Sequence, residues 1–100
     1  MIVTIFRSRL RPEAIDEYSA WARRVSDLAR SMPGYVSHKV FTAEDGERVT
    51  VVEFEDDEAQ KNWATNTEHV EAKAKGRKSF YAEYRLQVCS VLRESKFLAE

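Results

Sequence analysis

The sequence predicts an α+β fold of the ferredoxin-like kind, β-α-β-β-α-β, whose four-stranded antiparallel sheet carries helices on one face. Three observations lead there. An alternating, β-rich opening segment precedes a long amphipathic stretch. Two short β-rich segments flank Asp45-Gly46. A second helical region then feeds a last alternating run.

Ile2 to Leu10 alternates and is rich in β-formers, so it reads as the first strand. Pro12 suits the first helical position. From Pro12 to Ser31, Ile15, Tyr18, Ala22, Val25 and Ala29 recur at spacings of three and four, with Trp21 and Leu28 widening the stripe. Early acids (Glu13, Asp16, Glu17) and late arginines (Arg23, Arg24, Arg30) suit the helix dipole, and Pro33-Gly34 ends the helix. Tyr35 to Thr42 and Arg48 to Phe54 form a hairpin, with Asp45-Gly46 supplying the positive φ angles of a tight turn. Asp57 opens a second helix, Glu58 to Ala64. Thr65-Asn66-Thr67-Glu68 has the form of a capping box, which implies a break and a restart running to about Lys75, capped by Gly76. The last strand runs from Phe80 or Tyr81 to Arg93, and Ser95 to Leu98 adds a short strand or an arm.

Helices can cover only one face of this sheet. Yet Val3 and Ile5 oppose Ile2 and Phe6, and Val49 and Val51 oppose Val52 and Phe54, so neither face is polar. A sheet with apolar groups on both faces needs a second partner. The simplest is another copy, so a homodimer with its sheets face to face is expected.

The 100 residues read as one domain, residues 1–100, and a formal net charge of −1 offers no footprint for nucleic acid or an anionic membrane. Cys89 is the only cysteine and reads as a small apolar filler of the last strand. A lone thiol and no evident signal segment fit a reducing, cytoplasmic setting. Two histidines and one cysteine, far apart, make no metal site, and no glycine-rich phosphate loop appears.

The chain resembles the antibiotic biosynthesis monooxygenase family, a branch of the dimeric α+β barrel proteins. The resemblance rests on Met32-Pro33-Gly34-Tyr35, Asp45-Gly46-Glu47, Val51-Val52-Glu53-Phe54, Trp63, Glu68-His69, Gly76-Arg77, Phe80-Tyr81, Tyr84 and Leu86-Gln87-Val88-Cys89, across about residues 2 to 94. It implies a barrel-forming dimer with a pocket between helices and sheet in each protomer. It also implies oxidation of phenolic or quinol-type molecules by dioxygen without metal or flavin, and in other members haem degradation.

The stretch from Asn62-Trp63 to Tyr84 holds most of the candidate chemistry. Trp63 is either a stacking wall for a planar substrate or a core residue. On an unbroken helix His69 would sit about 120° round from Trp63, so the two share a pocket only if the helix breaks between them. His69 then acts in proton transfer or in hydrogen bonding to a phenolic oxygen, or is a capping residue. Haem-degrading relatives take an axial histidine from this region, but further along, and use an asparagine on the first strand where this chain offers Thr4 and Ser8. Relatives also carry an arginine on the last strand, which points to Arg85 as a stabiliser of a phenolate or enolate; a salt bridge is the other reading. Asn62, His38, Tyr81 and Tyr84 complete the candidate substrate contacts, each with a packing role as its alternative. Three functions stand: a cofactor-independent monooxygenase, a haem-binding relative, and a non-enzymatic dimeric module binding a small aromatic or hydrophobic molecule.

Overall fold

The computed structural model describes residues 1–100. Strand β1 is Ile2–Leu10; a 3-10 turn, Pro12–Ala14, leads into helix α1, Ile15–Arg30. Strands β2 (Tyr35–Thr42) and β3 (Arg48–Phe54) form the hairpin. Helices α2 (Asp57–Thr65) and α3 (Thr67–Lys75) follow, then a π-helical turn, Gly76–Phe80, and strand β4, Tyr81–Ser90. The sheet is antiparallel in the order β2-β3-β1-β4, the ferredoxin-like arrangement read from the sequence.

Register assigns the two faces. Thr4 lies between Val52 and Val88, and Phe6 between Thr50 and Leu86. Thr4 and Ser8 are 5% and 3% exposed beneath the helices. The opposite face carries Val3, Ile5, Val49 and Val51, which stay half-buried, and Phe41, which is exposed. One end of that outer face is tiled by ion pairs: Arg7–Glu47 at 2.9 Å, Arg9–Asp45 at 2.7 Å and Arg9–Glu83 at 3.3 Å. Cys89 pairs with Val3 there and is exposed, so it fills no core within the protomer.

Two bulges change what strict alternation predicts. Between Tyr35 and Ser37 the pairing of β2 slips by one residue, so Tyr35 and His38, three apart, lie on one side. Between Leu10 and Arg9 the pairing of β4 slips likewise, and Tyr81 joins Tyr84 on the helix side.

Several boundaries move for physical reasons. Asp56 caps α2 by accepting from Ala59 N–H at 2.8 Å, one residue earlier than expected. At the helix break the cap is Asn66 rather than Thr65: its Oδ1 accepts from His69 N–H at 3.1 Å, while Thr65 Oγ1 donates back to the Lys61 carbonyl. In the hairpin only Gly46 has positive φ, 90°, so the turn is not the doubly left-handed type that Asp-Gly suggests. Gly76 keeps a helical φ of −57° and ends nothing by left-handed capping. Its role is space: a Cβ there would sit 2.7 Å from Tyr81 Cε2 and 3.2 Å from Trp21 Cη2. Strand β4 stops at Ser90 because its only neighbour, β1, ends there; Ser90 pairs with Ile2, and Val91 N–H reaches the Met1 carbonyl. The tail to Glu100 forms no strand and leaves Leu92, Phe97 and Leu98 exposed.

The protomer has two packing centres. Trp63, Phe54, Ala29 and Ala59 form one, flanked by Val25, Leu28, Met32 and Val52. Phe6, Tyr18, Trp21, Phe80, Tyr81 and Tyr84 form the other, with neighbouring ring centroids 4.9–6.0 Å apart.

Candidate functional site

Between these centres, helices and sheet line a part-open cavity of about 310 Å³. That volume lies at the lower end of the roughly 300–1,000 Å³ typical of small-ligand sites. The cavity is floored by the helix-facing residues of the sheet and roofed by α1, α2 and α3.

The Trp63 end is built by the break at Asn66, whose ψ of 129° leaves the helical region. The turn folds α3 back so that the His69 imidazole lies flat on the Trp63 indole, centroids 3.7 Å apart and planes 12° from parallel. His69 Nδ1 lies 2.8 Å from the Trp63 carbonyl oxygen. A carbonyl only accepts, so Nδ1 carries the proton and Nε2 keeps its lone pair. Burial pushes the His69 pKa down to about 4, helped by the Lys73 ammonium and opposed by the Trp63 carbonyl bond. The ring is therefore neutral across the physiological range. His38 also lines the cavity, its Nδ1 2.7 Å from the Tyr35 hydroxyl, and burial, then the Arg30 charge, lower its pKa.

The tyrosine end is assembled from four segments. Tyr18 and Trp21 come from α1, Arg48 from β3, Arg77 from the π-helical turn, and Tyr81 and Tyr84 from β4. The Arg48 guanidinium lies over the Tyr18 ring, 5.1 Å from its centroid. Arg77 Nη1 lies 3.4 Å from the Tyr84 hydroxyl, a long contact. Burial, then the neighbouring Tyr18, raises the Tyr81 pKa, so that phenol stays protonated. Trp21 Nε1–H is buried with no acceptor in the protein.

Of the residues singled out in the sequence, the cavity gathers Trp63, His69, His38, Tyr81 and Tyr84. It does not gather Arg85 or Asn62. Arg85 points to the outer face, opposite Arg7, because Tyr84 and Leu86 take the inward positions on either side of it. Asn62 is exposed on α2, about 100° round the helix from buried Trp63. Gln60, 7% exposed and one turn before Trp63, lines the wall instead. The sequence reading also missed Arg48 and Lys73 as cavity residues. Lys73 had a local signal, standing one turn beyond His69; Arg48 comes from a distant strand.

A haem would find an imidazole with a free Nε2 here, but the cavity volume of about 310 Å³ is small for a tetrapyrrole. No group of three or more His, Cys, Asp or Glu side chains is placed to hold a metal ion. No helix is long and apolar enough to cross a membrane.

Known proteins resemble this chain in sequence or in fold. The uncharacterised protein YqjZ of Bacillus subtilis (strain 168) is 32% identical over 90 residues, covering 90% of this chain and 79% of that protein. The structure of Rv0793 from Mycobacterium tuberculosis superposes with a TM-score of 0.83 at 19% identity, covering 95% of this chain and 98% of that one. SnoaB, a cofactor-independent oxygenase from Streptomyces nogalater, gives a TM-score of 0.80 at 14% identity, covering 93% of this chain and 94% of that one. The family model for antibiotic biosynthesis monooxygenase matches residues 1–75, three quarters of the sequence, and the chain belongs to that family.

Proposed function

We propose that the protein is a cofactor-independent monooxygenase acting on a small aromatic phenol or quinol-type molecule. The observation that carries this reading is the neutral imidazole of His69, oriented by the Trp63 carbonyl with Nε2 unprotonated, in the wall of an aromatic-lined cavity. Family membership and the likeness to SnoaB support it.

His69 Nε2 takes the acidic proton of the substrate, and Trp63 helps to hold the ring plane. An imidazole with a pKa near 4 is a weak base toward an ordinary phenol. Pairing of the anion formed with the new imidazolium and with the neighbouring Lys73 ammonium offsets part of that mismatch. The substrate anion passes one electron to dioxygen, and the radical pair collapses to a carbon–oxygen bond. Loss of water from the resulting hydroperoxide, with departure of the remaining proton on that carbon, leaves a quinone carbonyl. One oxygen atom ends in product and one in water, so no external reductant is needed.

The functional unit is proposed to be a homodimer joined through the outer sheet face, where Val3, Ile5, Phe41, Val49 and Val51 lie unpartnered. A monomer by light scattering at micromolar concentration contradicts that part.

The test is oxygen uptake with anthrone- and hydroquinone-type substrates in the presence of a chelator. The expected result is a rate above the buffer background that falls in His69→Ala. No catalysed rate with any of them, or an undiminished rate in His69→Ala, overturns the reading. Hemin titration separates the haem alternative, which requires a Soret shift lost in His69→Ala.

A further inference from the structure

The proposed oxidation leaves the tyrosine end of the cavity without a task, and its charges suggest one. Arg48, Lys73 and Arg77 line the cavity, and no aspartate or glutamate does. None of the three takes part in the ion pairs of the fold. Lys73 is committed to the Ala64 carbonyl at 2.9 Å. Arg48 and Arg77 have only a tyrosine ring and a tyrosine hydroxyl as partners.

Both lie at one end: Arg48 pairs with Ser8 and Ser8 with Tyr84 across the sheet, and Arg77, exposed at the rim, reaches the Tyr84 hydroxyl. Arg48 lies over Tyr18, Tyr18 stands 6.0 Å from Tyr81, Tyr81 stands 5.7 Å from Tyr84, and Arg77 reaches Tyr84. His38 pairs with Val52 at the other end, beside Trp63 and His69. Arg48 and Val52 are four residues apart on β3, or about 13 Å at roughly 3.3 Å per residue. A guanidinium is a planar donor fork matched to a carboxylate. The unpartnered Trp21 Nε1–H at the same end adds a donor that lacks an acceptor.

We infer that the ligand is a two-ended aromatic acid, its carboxylate held between Arg48 and Arg77 and its phenolic end directed to His69. The inference rests on the oxidation reading for the task of the phenolic end only; recognition of the acid stands on the geometry of the arginine end.

Calorimetric titration with 6-hydroxy-2-naphthoate and with its neutral carboxamide tests it without requiring any oxidation. The acid is expected to bind about tenfold more tightly, since a charge-assisted bond contributes on that scale. Added salt should narrow the gap. Arg48→Gln combined with Arg77→Gln should abolish it, while Lys78→Gln combined with Lys96→Gln, an equal charge change at two exposed positions, should leave it intact. Circular dichroism confirms that each variant is folded, and the single variants serve if the double one is not. Equal affinity for acid and amide, no binding of either at millimolar concentration, or a preference that survives in the arginine variants overturns the inference. Acid preference without oxygen uptake would refute the oxidation and leave the ligand class standing.

Discussion

The two ends of the cavity are built in opposite ways. At the Trp63 end one chain break does the work. Asn66 ends one helix and caps the next, and residues six apart in sequence stack at 3.7 Å. At the tyrosine end three distant stretches meet, α1, β3 and the π-helical turn running into β4, and its arginines rest on aromatic partners rather than carboxylates. A locally built end holds a group in one orientation and one protonation state, which suits chemistry. An end assembled across the fold sets the distance and charge a ligand must match, which suits selection.

That contrast predicts different kinetic signatures, and the largest effect falls at the imidazole. His69→Ala should lower kcat for oxidation by about 10²–10⁴-fold, the range for losing a positioned general base, with little change in ligand affinity. Initial rates and calorimetry on the same preparation check both halves.

The next effect concerns packing where the tyrosine end meets α3. Gly76→Ala places a methyl 2.7 Å from Tyr81 Cε2, and overpacking of this kind costs about 1–3 kcal/mol. Urea unfolding should show a lower midpoint with an unchanged slope, together with weaker acid binding as Tyr81 is displaced.

A smaller effect is set by pH. His69 has a folded-state pKa of about 4, against an ordinary value of 6.5, so the unfolded chain binds the extra proton first. Its contribution to stability is intact above pH 6.5 and is lost as pH falls from 6.5 toward 4. Because the ring is part-exposed, the loss is about 1–2 kcal/mol rather than the full value of the shift. Unfolding of wild type and His69→Gln across this range should differ in slope, the variant being flatter.

The smallest effect is at the arginine end. Arg48→Gln should raise KM for an acidic substrate by about tenfold with kcat nearly unchanged, the signature of lost uniform binding. A fall in kcat instead would mean that the two ends do not divide their work as described.

Legibility in the sequence follows the same division. The element order was readable because each helix and strand carries its own periodicity, as in Ile15, Tyr18, Ala22 and Val25 of α1. Trp63 and His69 were readable because the signal for the break lies between them, although the capping residue proved to be Asn66 rather than Thr65. The alternation of β4 sets Tyr84, Leu86, Val88 and Ser90 on one face and Arg85 on the other, yet both Tyr84 and Arg85 were placed in the site; Arg85 lies on the outer side. Strict alternation separates Tyr35 from His38 and Tyr81 from Tyr84; a single inserted residue unites each pair, and neither Val36 nor Ala82 marks itself as a bulge. Arg48 reads as an ordinary strand-start residue until β3 is paired with β1 and α1 is laid across it. Its role depends on contacts more than ten residues away, which no local pattern encodes.

The most direct measurement is isotopic. Anthrone turnover under ¹⁸O₂ with a chelator, by wild type and by His69→Ala, should give a quinone carrying one ¹⁸O atom per molecule, formed quickly by the first and near the buffer rate by the second. Formation at equal rates in both, or a wild-type product without label, would contradict oxygen insertion at the His69 end of the cavity.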